Sequence, residues 1–423
     1  MRRLLRALIP DLTPLRGSRD YRLIVTGTLV TGLGTQAALV ALPYQVYVVS
    51  REPVLVGLLG LVELGPLVAA SLFGGAFADR LDRRRLLLLY QVALVSVSGA
   101  LAAAAFLGSP PIWLLYLLAG ALAGAGALER VTRSAIVPNV VPPESIRTAL
   151  STTFGINQIT MVIGPGLGGL LISAFGVGAA YTVDAASCLG MAAAAAMMSP
   201  QPPHGAERHE PMLRSIAAGL RFVGSDRALI GSFVIDLVAM TFGMPRALFA
   251  VLSLNVFHAG AAGTGALYAS VAAGATVAAL TTGWLARARY LGRIVVVAVI
   301  VWGLAIALAG LTSTLLVAAL LFAVAGAADS VSAVCRSTIA QTLTPDQMRG
   351  RMSSVFMLVV ASGPRLGDVE SGAVASLTTP RFSVVSGGLA CVAGVALIVL
   401  AFPEFVGYDG DAVSAAQPAV SSA

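Results

Sequence analysis

Long apolar stretches recur along this chain, separated by short polar breaks. They fall at 22–49, 53–78, 86–107, 112–133, 148–175, 178–198, 228–256, 263–286, 293–311, 314–335, 350–376 and 382–402. A helix needs about 20 residues to cross the hydrocarbon core, and each stretch supplies that or comes close to it. Barrel strands would instead alternate over about ten residues. Only helices and closed barrels satisfy their backbone in lipid. The pattern therefore predicts an all-α integral membrane protein with twelve transmembrane helices. The longest polar break runs from Ser199 to Arg227 and opens with Ser199-Pro200-Gln201-Pro202-Pro203. Within it Leu213, Ile216, Leu220 and Val223 recur at helical spacing, which predicts a short helix lying on the inner membrane surface. The expected division is a six-helix bundle at 1–198, a connecting loop at 199–227, a second six-helix bundle at 228–402, and a disordered acidic, Ser/Ala-rich tail at 403–423.

Composition excludes a soluble reading. Of 423 residues 57% are hydrophobic and 11% charged, whereas soluble domains carry about a quarter charged residues. All 27 basic residues are Arg. Without lysine there is no phosphate-loop lysine and no lysine Schiff base. Cys188, Cys335 and Cys391 are far apart in apolar surroundings and read as core residues. Neither they nor His204, His209 and His258 show metal spacing. No metal site, cofactor or enzyme motif is expected. The Arg-rich N-terminus precedes an apolar run too long for a cleaved signal peptide.

The net charge of +7 invites a nucleic-acid partner, but the arginines are distributed by topology. With the N-terminus cytoplasmic, the inner segments hold 23 arginines and the outer loops hold two, Arg51 and Arg381. Arg246 and Arg365 lie within helices. The positive-inside rule then puts both termini in the cytoplasm of a multi-pass plasma (inner) membrane protein. The charge needs no nucleic acid to explain it.

The two halves repeat. Arg133-Ser134-Ala135-Ile136 matches Arg336-Ser337-Thr338-Ile339, and Pro143 to Arg147 matches Pro345 to Arg349. Gly164-Pro165-Gly166-Leu167-Gly168 matches Gly363-Pro364-Arg365-Leu366-Gly367, so the offset is 199–203 residues. Six helices per half return the chain to the same side, giving a parallel repeat of the kind found in rocking transporters.

Between the second and third stretches stands Gly75-Ala76-Phe77-Ala78-Asp79-Arg80-Leu81-Asp82-Arg83-Arg84-Arg85. It resembles the signature loop of the major facilitator superfamily, G-x-L/F-A-D-R-x-G-R-R, with Asp82 replacing the second glycine. Asp is the next best residue for a tight turn. The corresponding loop of the second half, Gly283 to Arg293, keeps glycines and arginines but lacks the Asp. In the fifth helix Gly164-Pro165-Gly166-Leu167-Gly168-Gly169 is similar to the core of the superfamily's exporter motif. Ser151 and Thr160 stand where that motif has glycines. Such small residues also permit kinks and close helix packing. Across nearly the whole chain the likeness is to the enterobactin-exporter branch, which overlaps with multidrug exporters. It is carried by the loop above, Gly219-Leu220-Arg221-Phe222-Val223, Gln341 to Pro345, and Gly367-Asp368.

Ionisable residues inside a bilayer cost roughly 2.5–3.5 kcal/mol each on insertion scales, so each is a functional candidate. The proton-coupling candidates are Asp236, Asp329, Glu63 and Asp368. The resemblance implies that the first, fourth, seventh and tenth helices line a central cavity, where Asp236 and Asp329 would sit. Asp329 is also placed to pair with Arg336, Asp368 to pair with Arg365, and Glu129 to join a cluster with Arg130 and Arg133. Glu370 has no evident partner, and Asp184 reads as structural. Gln36, Tyr44, Gln45, Asn157 and Gln158 are the uncharged cavity candidates. The inner-gate set is Gly75, Asp79, Arg80, Arg83, Arg84, Arg130 and Arg133. Asp79 is expected to approach the start of the eleventh helix, where Thr344 and Gln347 spell a capping box with Pro345 at the first helical position. The expected protein is a proton-driven antiporter exporting a small molecule, siderophore or drug, by alternating access, and a monomer in contact with lipid. An importer or uniporter, and more remotely a receptor or scaffold, remain the alternatives.

Overall fold

The computed structural model describes residues 13–78, 81–202 and 212–409. Six long helices form the first half: α1 (Arg19–Ser50), α2 (Pro53–Ala78), α3 (Arg83–Phe106), α4 (Ile112–Ile136), α5 (Ile146–Phe175) and α6 (Val177–Met197). A shorter α7 (Met212–Ser225) follows. The second half holds α8 (Arg227–Phe242), α9 (Phe249–Asn255), α10 (Gly260–Thr281), α11 (Leu291–Leu311), α12 (Leu315–Leu343), α13 (Arg349–Leu377) and α14 (Pro380–Ala401). Eleven stretches are apolar and long enough to span a membrane, the pair α8 and α9 counting as one. The twelfth, α13, has 29 residues, but Arg365, Asp368 and Glu370 interrupt its apolar run.

Large side chains face outward. Leu89, Leu117, Leu170, Val297, Leu320 and Leu400, within six of the long helices, are all more than half exposed, a breadth of apolar surface that suits apolar surroundings.

The chain divides into two compact units, Met1–Ser50 with Val62–Arg208, and Arg51–Leu61 with His209–Ala423. In the first, α1 packs on α5 and α6, and α3 packs on α4 and α6. In the second, α8 packs on α13 and α14, and α11 packs on α12 and α14. The same pairing order appears in both, as the sequence repeat requires. Helices α5 and α13 each start after a one-turn 3-10 segment, Pro143–Ser145 and Asp346–Met348, a spacing of 203 residues. The Gly-Pro pairs inside them lie 199 residues apart. The difference of four is about one helical turn, so the glycines stay on the same face.

Several expectations are corrected. The seventh span is not one helix: α8 stops at Phe242, and the chain passes through Gly243-Met244-Pro245 and a 3-10 turn (Arg246–Leu248) before α9. Proline lacks an N–H and disfavours helix at the residue before it. The capping box does not form. Thr344 Oγ1 bonds back to Ala340 O at 2.5 Å, and no side chain caps the segment that begins after Pro345. Asp82 does more than tolerate a turn. At φ −58° it N-caps α3 by accepting from Arg85 N–H, and its other oxygen accepts from Gln201 N–H at 3.1 Å.

Helix α7 exists where expected, but one side of it packs on protein. A Cβ at Gly219 would lie 2.7 Å from Arg351 O of α13, and Val223 clusters with Leu229, Ala340, Met352 and Val355. Residues 403–409, part of the expected disordered tail, pack on helices of the second unit. Phe405 is fully buried, beside Gly231 and Gly292, and Asp409 pairs with Arg289 at 2.7 Å.

Candidate functional site

The second unit holds a set of charged side chains inside the membrane span. Arg336 of α12 is its hub. Its side chain is 5% exposed and forms an ion pair with Asp236 of α8, itself 2% exposed. The Arg336 Nε also donates to Ser332 Oγ one turn earlier, at 3.1 Å. Asp329, two turns earlier on α12, lies 3.8 Å from Arg336 and is 23% exposed. Arg336 thus carries two carboxylates from two helices, one tight and dry, the other looser and reachable.

By its place in the sequence Arg336 belongs with the inner-surface arginines. Its burial places it with Arg246 and Arg365 instead, while the Asp329–Arg336 pairing forms as expected.

A second part of the set surrounds the break between α8 and α9. Three side chains take up the backbone groups it frees. Trp302 Nε1 of α11 donates to Gly243 O at 2.7 Å. Tyr268 OH of α10 donates to Arg246 O at 3.2 Å. Asp368 of α13 accepts from Ala247 N–H at 3.0 Å. Beyond the break, Phe249 is fully buried and stacks edge-on against Tyr268 and Phe322, both at 4.9 Å between ring centroids.

Arg246 and Arg365 are the cations acting on Asp368, and Arg246 also acts on Asp329. The expected Asp368–Arg365 ion pair is not seen: Asp368 holds the broken helix through Ala247 N–H, and Arg365 Nη1 donates to Ala361 O at 2.8 Å. Three aspartates and three arginines make the set formally neutral, which offsets part of the insertion cost of each member. Glu370 is half-buried on α13.

In the first unit the pseudo-equivalent of Arg336 is Arg133. It pairs with Glu129 one turn earlier at 3.0 Å, and Glu129 also accepts from Gln91 Nε2 at 3.3 Å. Ser332 occupies the place of Glu129 in the second unit, so the repeat keeps the arginine and relocates its acids to α8 and to Asp329. Arg130 is exposed. Arg83 Nη1 donates to Ala135 O at 2.9 Å and Arg84 Nε to Ala195 O at 3.0 Å, tying the start of α3 to the ends of α4 and α6. Asp79 and Arg80 lie outside the described residues, as do the side-chain surroundings of Gly75.

Asp184 is buried and receives hydrogen bonds from Ser98 at 2.6 Å and Thr35 at 3.4 Å, joining α6 to α3 and α1. Glu63 is half-buried on α2.

The exporter-motif glycines seat α5 on α1. A Cβ at Gly164 would lie 2.5 Å from Gln36 Cβ, and one at Gly168 would lie 2.7 Å from Ala37 Cα. Pro165 and Gly169 are buried in the same helix. Gln36 thus packs on the motif itself. Gln45 faces the bundle interior and accepts from Tyr181 OH at 2.8 Å. Tyr44, Asn157 and Gln158 are half-buried.

Arg246 and Trp302 were not among the site residues read from the sequence. One signal could have found Arg246: Pro43-Tyr44 in the first half corresponds to Pro245-Arg246 in the second, an offset of 202 residues, and Tyr44 was a cavity candidate.

Two repeats of long apolar helices with a paired charge set between helices define a membrane transporter rather than an enzyme. The profile of the transmembrane secretion effector family matches residues 9–421, so the chain belongs to that family of the major facilitator superfamily. Among curated proteins it is similar to the enterobactin exporter EntS of Citrobacter koseri, 29% identical over 365 residues that cover 85% of this chain and 86% of the relative. The same exporter from Shigella boydii is 28% identical over the same shares. Among solved structures the nucleoside transporter NupG covers 92% of this chain and 100% of its own, with a TM-score of 0.73 at 12% identity. A bacterial homologue of the human lysosomal transporter Spinster covers 92% and 97%, with a TM-score of 0.68 at 17% identity. These two share the fold.

Proposed function

We propose that this protein is a proton-coupled exporter of a small organic molecule, working by alternating access in the plasma membrane with both termini cytoplasmic. The observation that carries the reading is the unequal sharing of Arg336 by Asp236 and Asp329. Asp236 is the dry anchor. Asp329 is partly exposed and more loosely held, so it is the carboxylate that takes and releases the proton. Protonating it removes a charge partner within the tenth span and leaves Arg336 held only by Asp236 of the seventh. The exporter motif and the similarity to EntS support the outward direction. A siderophore or a drug-like compound is the cargo class those relatives point to, and the partners are the cargo, protons and lipid, with the chain acting as a monomer.

The test is transport in inverted vesicles under an imposed pH gradient, against a panel of siderophores and drugs. Wild type should accumulate at least one of them. Asp329→Asn should abolish gradient-driven accumulation while leaving binding of that compound measurable. Full gradient-driven transport by Asp329→Asn would refute its coupling role.

A further inference from the structure

Arg246 stands at the break of the seventh span. Irregular backbone at membrane depth is tolerated only where protein buries it or where it lines a cavity, and interrupted helices are the usual site of cargo and ion binding in transporters. The backbone groups freed by this break are taken by Trp302, Tyr268 and Asp368. The guanidinium of Arg246 is not. Its Nε is shut off from solvent and has no hydrogen-bond partner, and no carboxylate among the described residues lies within ion-pair distance of it.

The nearby acids are engaged elsewhere. Asp236 and Asp329 share Arg336, and Asp368 accepts from Ala247 N–H. Asp329 and Asp368 lower the cost of the Arg246 charge through space but leave its Nε unmet.

An arginine presents five donors in a planar fork that fits the two oxygens of a carboxylate or a similar oxyanion. Leaving such a donor unmet in the membrane is costly; the charge of Arg246 helps balance the aspartates of the set, but that balance leaves its Nε without a partner. We propose that Arg246 is a cargo-docking residue, and that the cargo of this transporter carries an oxyanion that the Arg246 guanidinium receives. This rests on the transporter reading above and adds the charge class of the cargo. The site takes acids or neutral molecules with an acidic group in preference to amines.

The experiment is equilibrium binding to the full-length protein in lipid nanodiscs, with benzoate and benzylamine as size-matched probes of opposite charge. Wild type should bind benzoate about tenfold or more tightly than benzylamine. Arg246→Gln should weaken benzoate binding by about tenfold or more, the range for a hydrogen bond to a charged group. Benzylamine binding should be unchanged or stronger. Arg246→Lys, which keeps the charge but loses the fork, should fall between, and it carries the test if the Gln variant does not fold. Benzylamine binding as tightly as benzoate, or benzoate affinity unaltered in both variants, would overturn the proposal. Loss of gradient-driven flux for every compound in the vesicle panel would instead overturn the exporter reading, whatever the benzoate result.

Discussion

Replacing Arg336 with glutamine should be among the most damaging single changes in the second unit. Its side chain is 5% exposed, that of Asp236 is 2% exposed, and the two are in contact. Removing one partner of a buried ion pair leaves the other charged and desolvated, which costs about 3–5 kcal/mol. Asp329 adds little to this, because it lies 3.8 Å from Arg336 and is 23% exposed. The double variant Arg336→Gln with Asp236→Asn puts two neutral groups of similar size in place of the pair. It should recover much of the loss, with a coupling energy of about 2–3 kcal/mol, the upper range for residues in direct contact. Asp329→Asn alone should cost about 1 kcal/mol or less. The measurement is reversible unfolding of the purified protein by denaturing detergent in mixed micelles, for the wild type, the three single variants and the double. A loss below about 1 kcal/mol for Arg336→Gln would refute the reasoning. So would strict additivity of Arg336→Gln and Asp236→Asn, because it would mean that the two side chains do not sense each other.

Two further outcomes follow from the geometry. Gly168→Ala should destabilise the first unit by about 1–3 kcal/mol, since overpacking must push α5 off α1; Gly155→Ala on the same helix meets nothing within 4 Å and should be harmless in the same unfolding assay. Cysteines introduced as Gly205→Cys and Ser109→Cys, challenged by an impermeant thiol reagent outside whole cells, should be labelled only at 109, and labelling at 205 would reverse the proposed orientation.

The membrane architecture was legible in the sequence for a simple reason. In lipid every backbone group must be satisfied within its own helix, so spans announce themselves as apolar runs, and the duplicated Arg133 and Arg336 segments expose the repeat. Even α13, with Arg365, Asp368 and Glu370 in its middle, was found from its length and its place in the repeat. The glycines of the exporter motif and the arginines after Asp82 could likewise be picked out by spacing, although their partners, α1 and the ends of α4 and α6, could not.

Tertiary structure alone decided which charges on different helices meet. Asp236 and Arg336 are 100 residues apart, and nothing local to either indicates the other; an arginine near the end of a span looks the same in sequence whether it reaches the inner surface or turns into the bundle. The break at Gly243-Met244-Pro245 is of the same kind. Proline there permits either a kink or a rupture, as Pro43 within the continuous α1 shows. What makes the rupture stable is the arrival of Trp302, Tyr268 and Asp368 from three other helices to satisfy the backbone it frees. Helix existence is set by local hydrogen bonding and apolar content, which a sequence carries residue by residue. Pairing between buried charges, and the tolerance of a broken helix, depend on partners that only folding brings within reach.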